Sequence, residues 1–340
     1  MKKNVIQYIK YILIFIPSII LYLIHPFVTI FYDDFLWHIK VGEWIYIHKE
    51  IPKEDIFTWI YENTHQIFVS HEWLADYLFF ITNKLFHPYF LYIIIVFIIF
   101  GIIMINIYKE FDRIDILYKL LIIFLLTSSF LTTSVLRPHL FSFIFFIFLI
   151  KELDKIKQEN SSKLYIILPL INILWVNMHG GSIILSIIIP FGYLLCSFIS
   201  IDFYQIKSTK GSFNQRVKYL YITVFNLLCS FINPYGVNIY KYLLSHNSEI
   251  KEGVSEWGAL SIDIRVPFIA IMLIIISLIF IKKKIELTDL GLLTGFLLLS
   301  FMYRRFYSWT IFIYIILFIK YLDSKRKYKM FNKKELFKYI

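Results

Sequence analysis

The chain has 340 residues, of which 59% are hydrophobic, 20% aromatic and only 17% charged, and its formal charge is +11. Soluble domains average about 45–50% apolar and about 25% charged residues, so this composition reads as too apolar for one water-soluble core. The 35 Phe and 25 Tyr argue against disorder, and 11 Gly, 9 Pro and 2 Cys against collagen-like or disulfide-scaffold chains.

The expectation is therefore an all-α polytopic membrane protein with about ten transmembrane helices, within a range of nine to eleven. A spanning helix needs about 20 mainly apolar residues. Candidate stretches fall near residues 9–32, 88–108, 118–135, 138–151, 164–179, 181–200, 218–233, 265–281, 287–302 and 306–322. The first is read as a retained helix, because the run lacks a small-residue cleavage site and passes through Pro26 into aromatic residues. Placing both termini in the cytoplasm puts 25 of the 35 Lys and Arg in inner segments, as the positive-inside rule expects. The basic charge is then a mark of the cytoplasmic face and gives no reason to expect nucleic acid. All nine His and nearly all Trp fall in outer segments or near outer helix ends, which points to chemistry on the extracytoplasmic side of a cytoplasmic membrane. Residues 1–322 read as one transmembrane domain, and 323–340 as a basic cytoplasmic tail.

The longest predicted soluble segment is the first outer loop, 33–87. Asp34 to Lys49 mixes Phe35, Leu36, Ile39, Trp44, Ile45 and Ile47 with His38, Lys40, Glu43 and His48, the pattern of an amphipathic surface helix. Ile51-Pro52 ends it, since proline disfavours a helical predecessor. Residues 55–70 read as an irregular loop or small hairpin, and Glu72 to Phe86 as a second amphipathic helix. A further outer loop, 234–264, begins at Asn233-Pro234-Tyr235-Gly236 and contains an interfacial helix over Val237 to Leu244.

The layout of this first loop resembles that of GT-C type glycosyltransferases, polytopic enzymes that take sugar from a polyprenyl-phosphate carrier. The series DDFLWHIKVGEWI, IPKEDIFTW, HEWLADYL, LRPHLFSF, LWVNMHGG, NPYGVNIY, SEWGAL and YRRF is similar to a bacterial family of GT-C-like membrane proteins, over about residues 11–310. The resemblance implies a catalytic Asp just after the first helix, where Asp33 and Asp34 stand. Many such enzymes carry a large C-terminal soluble domain, whereas here a short basic tail is expected after the last apolar stretch.

Glycosyl transfer from a lipid phosphate needs a base for the acceptor hydroxyl and positive charge for the departing phosphate. Asp33, Asp34 and His38 are the catalytic candidates; His38 follows Asp34 at i+4, on the same helical face. The plainer reading of the two Asp is a helix N-cap. His71 and Glu72 begin the second loop helix, where Glu72 also suits the positive helix terminus. With Asp34 and His38 they form a possible divalent cation set, Mg or Mn. Arg137, His139, Arg304 and Arg305 lie at short turns between apolar segments and are candidate phosphate clamps, or cations snorkelling toward headgroups. His179, in the turn Asn177-Met178-His179-Gly180-Gly181, and Glu256 complete the candidate substrate-binding set.

The leading functional expectation is an inverting glycosyltransferase, of hexosyl or pentosyl type, using a polyprenyl-phosphate-linked donor and a glycan, lipid or protein acceptor. A transporter or flippase of a lipid-linked or anionic solute and a noncatalytic cell-envelope scaffold are the rivals. No nucleophilic triad, Walker A loop or CxxC pair is present, and Cys196 and Cys229 fall within apolar stretches.

Overall fold

A computed structural model describes residues 34–55, 68–87, 137–159, 163–245 and 284–321, with isolated positions 57, 90, 91, 93–95, 98, 258 and 259. In these residues the helices are α1 (Phe35–His48), α2 (Trp73–Leu85), α3 (His139–Lys157), α4 (Leu168–Met178), α5 (Leu185–Cys196), α6 (Phe213–Ser230), α7 (Asn238–Ser245), α8 (Leu287–Met302) and α9 (Tyr307–Tyr321).

The ten-span polytopic expectation is corrected here. Among the described residues no helix is long and apolar enough to cross a membrane. The reason lies in how the apolar stretches break. Only α3 and α6 reach 18 residues. The last turns of α3 carry Lys151, Glu152, Asp154, Lys155 and Lys157, and the first turns of α6 carry Arg216 and Lys218. The stretch 164–179 divides into a 3-10 turn, Lys163–Ile167, and an 11-residue helix. The stretch 181–200 divides into a second 3-10 turn and a 12-residue helix. A helix of 11 or 12 residues is only about 18 Å long at 1.5 Å per residue. The stretches 9–32, 118–135 and 265–281, and the tail 323–340, lie outside the described residues, as does most of 88–108.

The described residues are mostly helical, and one small sheet is added to the helices. β1 (Ile201–Phe203) and β2 (Ile206–Ser208) form an antiparallel hairpin, and β3 (Ile285–Glu286) adds in parallel beside β2. Tyr204 takes φ 50° at the hairpin turn.

Local chemistry explains several boundaries. Ser212 caps α6 with a capping box, its hydroxyl accepting from the Gln215 N–H while Gln215 returns to the Ser212 N–H. The same Gln215 amide donates to the Ile156 and Lys157 carbonyls, satisfying the otherwise open end of α3. Pro190 lies inside α5 and offers no N–H to the Ser186 carbonyl four residues back. Asn226 of α6 supplies the missing donor at 2.8 Å.

The core is aromatic. Trp309 of α9 stacks on Phe143 of α3 with ring centroids 4.3 Å apart and meets Phe146 edge-on at 5.2 Å. Phe296 of α8 closes the same cluster. Within this core α1 and α2 pack closely together, and His38 and Asp76 are buried between them.

Candidate functional site

Gly42 sets the approach of α1 to α2. A Cβ at this position would lie 2.1 Å from the Asp76 carbonyl oxygen and 2.8 Å from the Phe80 Cβ, so only glycine fits. His38 is one turn earlier on the same face, and the close approach brings its Nδ1 to 2.7 Å from Asp76 Oδ1. Both side chains are buried. Asp76 Oδ2 accepts from the Ser70 hydroxyl at 3.2 Å.

Burial lowers the His38 pKa, but the Asp76 hydrogen bond and the charges of Asp76, Glu72 and Asp34 outweigh it and hold His38 above the usual imidazole value. Burial also pushes the Asp76 carboxyl upward against the pull of His38. With a hydrogen on Nδ1 directed at Asp76, Nε2 is the acceptor position of the neutral ring.

Glu72 stands one turn before Asp76, at the N-terminus of α2. Its carboxylate makes no side-chain cap and turns toward imidazoles instead. Oε1 is 3.3 Å from His179 Nε2 and 3.8 Å from His71 Nε2, and Oε2 is 3.9 Å from His38 Nδ1. Three histidines from separate segments thus surround one carboxylate.

The turn carrying His179 is fixed against the start of α2. The Gly180 N–H donates to the His71 carbonyl at 3.0 Å, and a Cβ on Gly180 would crowd that carbonyl and Ile239 of α7. Trp73 donates to the Asn177 side chain at 2.7 Å, and Asn177 donates in turn to the Ile232 carbonyl at 2.9 Å.

The other nitrogen of His179 is held by hydroxyls. Nδ1 lies 2.7 Å from Ser142 Oγ and 2.9 Å from Ser182 Oγ, and the Trp175 indole donates to both oxygens. The Glu72 carboxylate facing Nε2 assigns the ring hydrogen to that nitrogen, and Nδ1 is then the acceptor of a hydroxyl proton. Burial holds the His179 pKa well below the usual range, reinforced by Arg305, His139, His71 and His38, and the ring is neutral. Ser142 is itself fully buried; its hydroxyl positions His179 and is not placed as a nucleophile.

The predicted site residues divide into groups. His38, His71, Glu72 and His179 come into one cluster. Asp34 is beside it, exposed, in an ion pair of 2.8 Å with Arg137. His139 and Arg305 act on His179 through their charge. Arg304 is exposed, and its N–H donates to the Gly258 carbonyl. Asp33 and Glu256 lie outside the described residues. Among the described residues no group of three or more His, Cys, Asp or Glu is placed to hold a metal ion. Of the four side chains considered for a cation, Asp34 faces Arg137, and His38 Nδ1 is engaged with Asp76.

Asp76, Ser142, Ser182 and Trp175 were not singled out by sequence reasoning. Asp76 had a legible signal: it follows Glu72 at i+4 and is the only charged residue in the helical run WLADYLFF. The two serines had none, because serine is ordinary in an apolar helix or turn.

Comparison with known proteins finds no match, whether to a family model, a curated protein or a solved structure.

Proposed function

We propose that the chain transfers a glycosyl group from a phosphate-linked donor to an acceptor hydroxyl, with the buried His38–Asp76 pair as the base. The supporting observation is the 2.7 Å contact between these two side chains beside the Glu72–His179 pair. An imidazole oriented by a buried carboxylate, which raises its pKa and so its basicity, suits proton abstraction.

In this reading the acceptor hydroxyl gives its proton to His38 Nε2 as its oxygen bonds to the anomeric carbon. The bond from that carbon to the phosphate oxygen breaks in line, the phosphate leaves with the electron pair, and the anomeric configuration inverts. Arg137 and Arg305 supply the positive charge that a phosphate leaving group requires. Asp34 orients Arg137, and neutral His179 anchors Glu72 as a hydrogen-bond acceptor for sugar hydroxyls.

A polyprenyl carrier on the donor is supported by apolar side chains open at the surface, among them Leu36, Trp37 and Ile47 of α1 and Leu170 and Leu174 of α4. We place the reaction at the lipid surface that presents such a donor.

The test is transfer by the purified full chain from a polyprenyl-phosphate sugar, together with the surface glycan of cells carrying His38→Gln. The variant is expected to lose about 10²- to 10⁴-fold in rate, the usual scale of general-base catalysis. Full glycan modification with His38→Gln would overturn the assignment of the base. Absence of detectable polyprenyl phosphate binding by the wild type would favour a noncatalytic envelope role.

A further inference from the structure

The β1–β2 hairpin and the first turns of α6 form a patch on elements that carry none of the site residues described above. It is tied to the end of α5: the Gly211 N–H donates to the Ser197 carbonyl at 2.9 Å, and the Ser208 hydroxyl to the Cys196 carbonyl at 3.4 Å. Every residue of β1 is exposed. Phe203 at its end is 66% exposed, Tyr204 at the turn 83%, and Phe213 at the start of α6 81%. The Phe203 and Tyr204 rings meet edge-on at 5.0 Å, so the tip is one aromatic unit. Rings held this far into water forgo one of the largest apolar gains a side chain can make.

Basic side chains interleave with these rings. Residues 201–218 hold Lys207, Lys210, Arg216 and Lys218 against one acidic residue, Asp202, which pairs with Lys284. Lys207 and Lys210 are exposed. The Arg216 guanidinium lies over the Phe198 ring at 4.5 Å and the Lys218 ammonium over the Tyr165 ring at 5.2 Å, so both long side chains run along apolar surface as snorkelling cations do. From Phe213 an exposed apolar stripe continues along α6 through Val217, Leu220 and Val224. Rings and cations side by side at the end of an apolar stripe match the boundary of headgroups and acyl chains, where rings suit the interfacial depth and cations suit anionic headgroups. A protein partner fits less well, because protein interfaces are depleted of lysine.

We propose that the hairpin tip and the start of α6 dock the protein on an anionic lipid surface. Phe203, Tyr204 and Phe213 enter the headgroup layer, and the four cations face the lipid phosphates. The docking is peripheral and needs no helix to cross the bilayer. It does not rest on the proposed sugar transfer, because the ligand is the surface itself.

The experiment attaches an environment-sensitive fluorophore to the hairpin tip through Tyr204→Cys, in the full chain with Cys196→Ser and Cys229→Ser, and adds vesicles that contain no sugar donor. With equal parts phosphatidylglycerol and phosphatidylcholine the emission is expected to shift to the blue; with phosphatidylcholine alone the shift should need far more lipid. Lys207→Gln together with Lys210→Gln, both at the surface, should raise the lipid concentration for half the shift about 30-fold, about fivefold for each charge. Added salt should act in the same direction, and so should Phe213→Ser. Emission that stays that of a water-exposed fluorophore at every concentration of anionic lipid would overturn the proposal, as would a shift equal in both vesicles and unmoved by the lysine variants. A shift that follows protein concentration without vesicles would overturn it in favour of a second copy pairing along β1, the edge strand among the described residues. Since the vesicles carry no donor, none of these results bears on the sugar-transfer reading.

Discussion

Gly42 and Asp76 are in backbone contact: the space where Gly42 would carry a Cβ is occupied by the Asp76 carbonyl, at 2.1 Å. This contact sets the spacing of α1 and α2, and through it the distance from His38 to Asp76. Gly42→Ala forces the helices apart. A stability loss of about 1–3 kcal/mol is expected, the usual scale for overpacking, accompanied by loss of the His38–Asp76 hydrogen bond. Chemical denaturation and the NMR shift of the His38 Nδ1 proton check both parts, and unchanged values in the variant would refute the account.

The His38–Asp76 pair sets a pH dependence. His38 has its pKa raised on folding, so its contribution to stability is complete below the unfolded imidazole value of about 6.5 and is lost as pH rises through the folded value. Activity runs the other way, because a base must be unprotonated; the rate should rise with pH through a midpoint above about 6.5. Asp76→Asn removes the largest influence raising His38 and leaves burial to act. The midpoint of the rate profile should fall below the wild-type one, and the maximal rate should fall too. A profile that does not move in Asp76→Asn would separate the two residues functionally.

His179 behaves in the opposite sense. Its folded pKa is depressed by burial, so its stabilising contribution is present above about pH 6.5 and is lost as the pH falls from there toward the folded value. His179→Gln should weaken the acid sensitivity of folding over this window. Nitrogen NMR of the wild type should show a neutral ring with hydrogen on Nε2, and Ser142→Ala should disturb that tautomer by removing the nearest Nδ1 partner. A charged His179 at pH 6 would contradict the hydroxyl relay.

Asp34→Asn distinguishes two roles for Asp34 at the head of α1. Asp34 is 61% exposed and faces Arg137, and an ion pair that open contributes about 0–1 kcal/mol. The variant should fold normally and lose only a modest part of the rate through a less ordered Arg137. A loss as complete as that of His38→Gln would move the base from His38 to Asp34.

The sequence shows much of the local structure. The mixed run from Asp34 and the stop at Ile51-Pro52 mark α1, observed as Phe35–His48; the second helix, expected from Glu72 to Phe86, is Trp73–Leu85, and the short one expected over Val237 to Leu244 is Asn238–Ser245. These boundaries are legible because proline and periodic apolar positions act within a few residues of chain. The extent of the apolar helices was not. Windows of hydropathy do not register that 164–167 winds as a 3-10 turn, that the Ser186 carbonyl left open by Pro190 accepts from Asn226, or that 201–208 turns back as a hairpin.

The sequence by itself determined the inventory: an apolar, aromatic chain with its histidines near carboxylates, and glycines at the turns beside them. Tertiary structure decided which of those groups meet. His38 and Asp76 are 38 positions apart, and Ser142 and His179 are 37 apart; no local rule links such pairs. Their meeting depends on the closeness that Gly42 and Gly180 permit, a matter of backbone packing across separate segments. The same holds for Lys320, whose partner Asp154 is 166 positions away. Charge and hydrogen-bonding capacity belong to the residues, but proton affinity depends on burial and neighbours, which exist only in the folded chain.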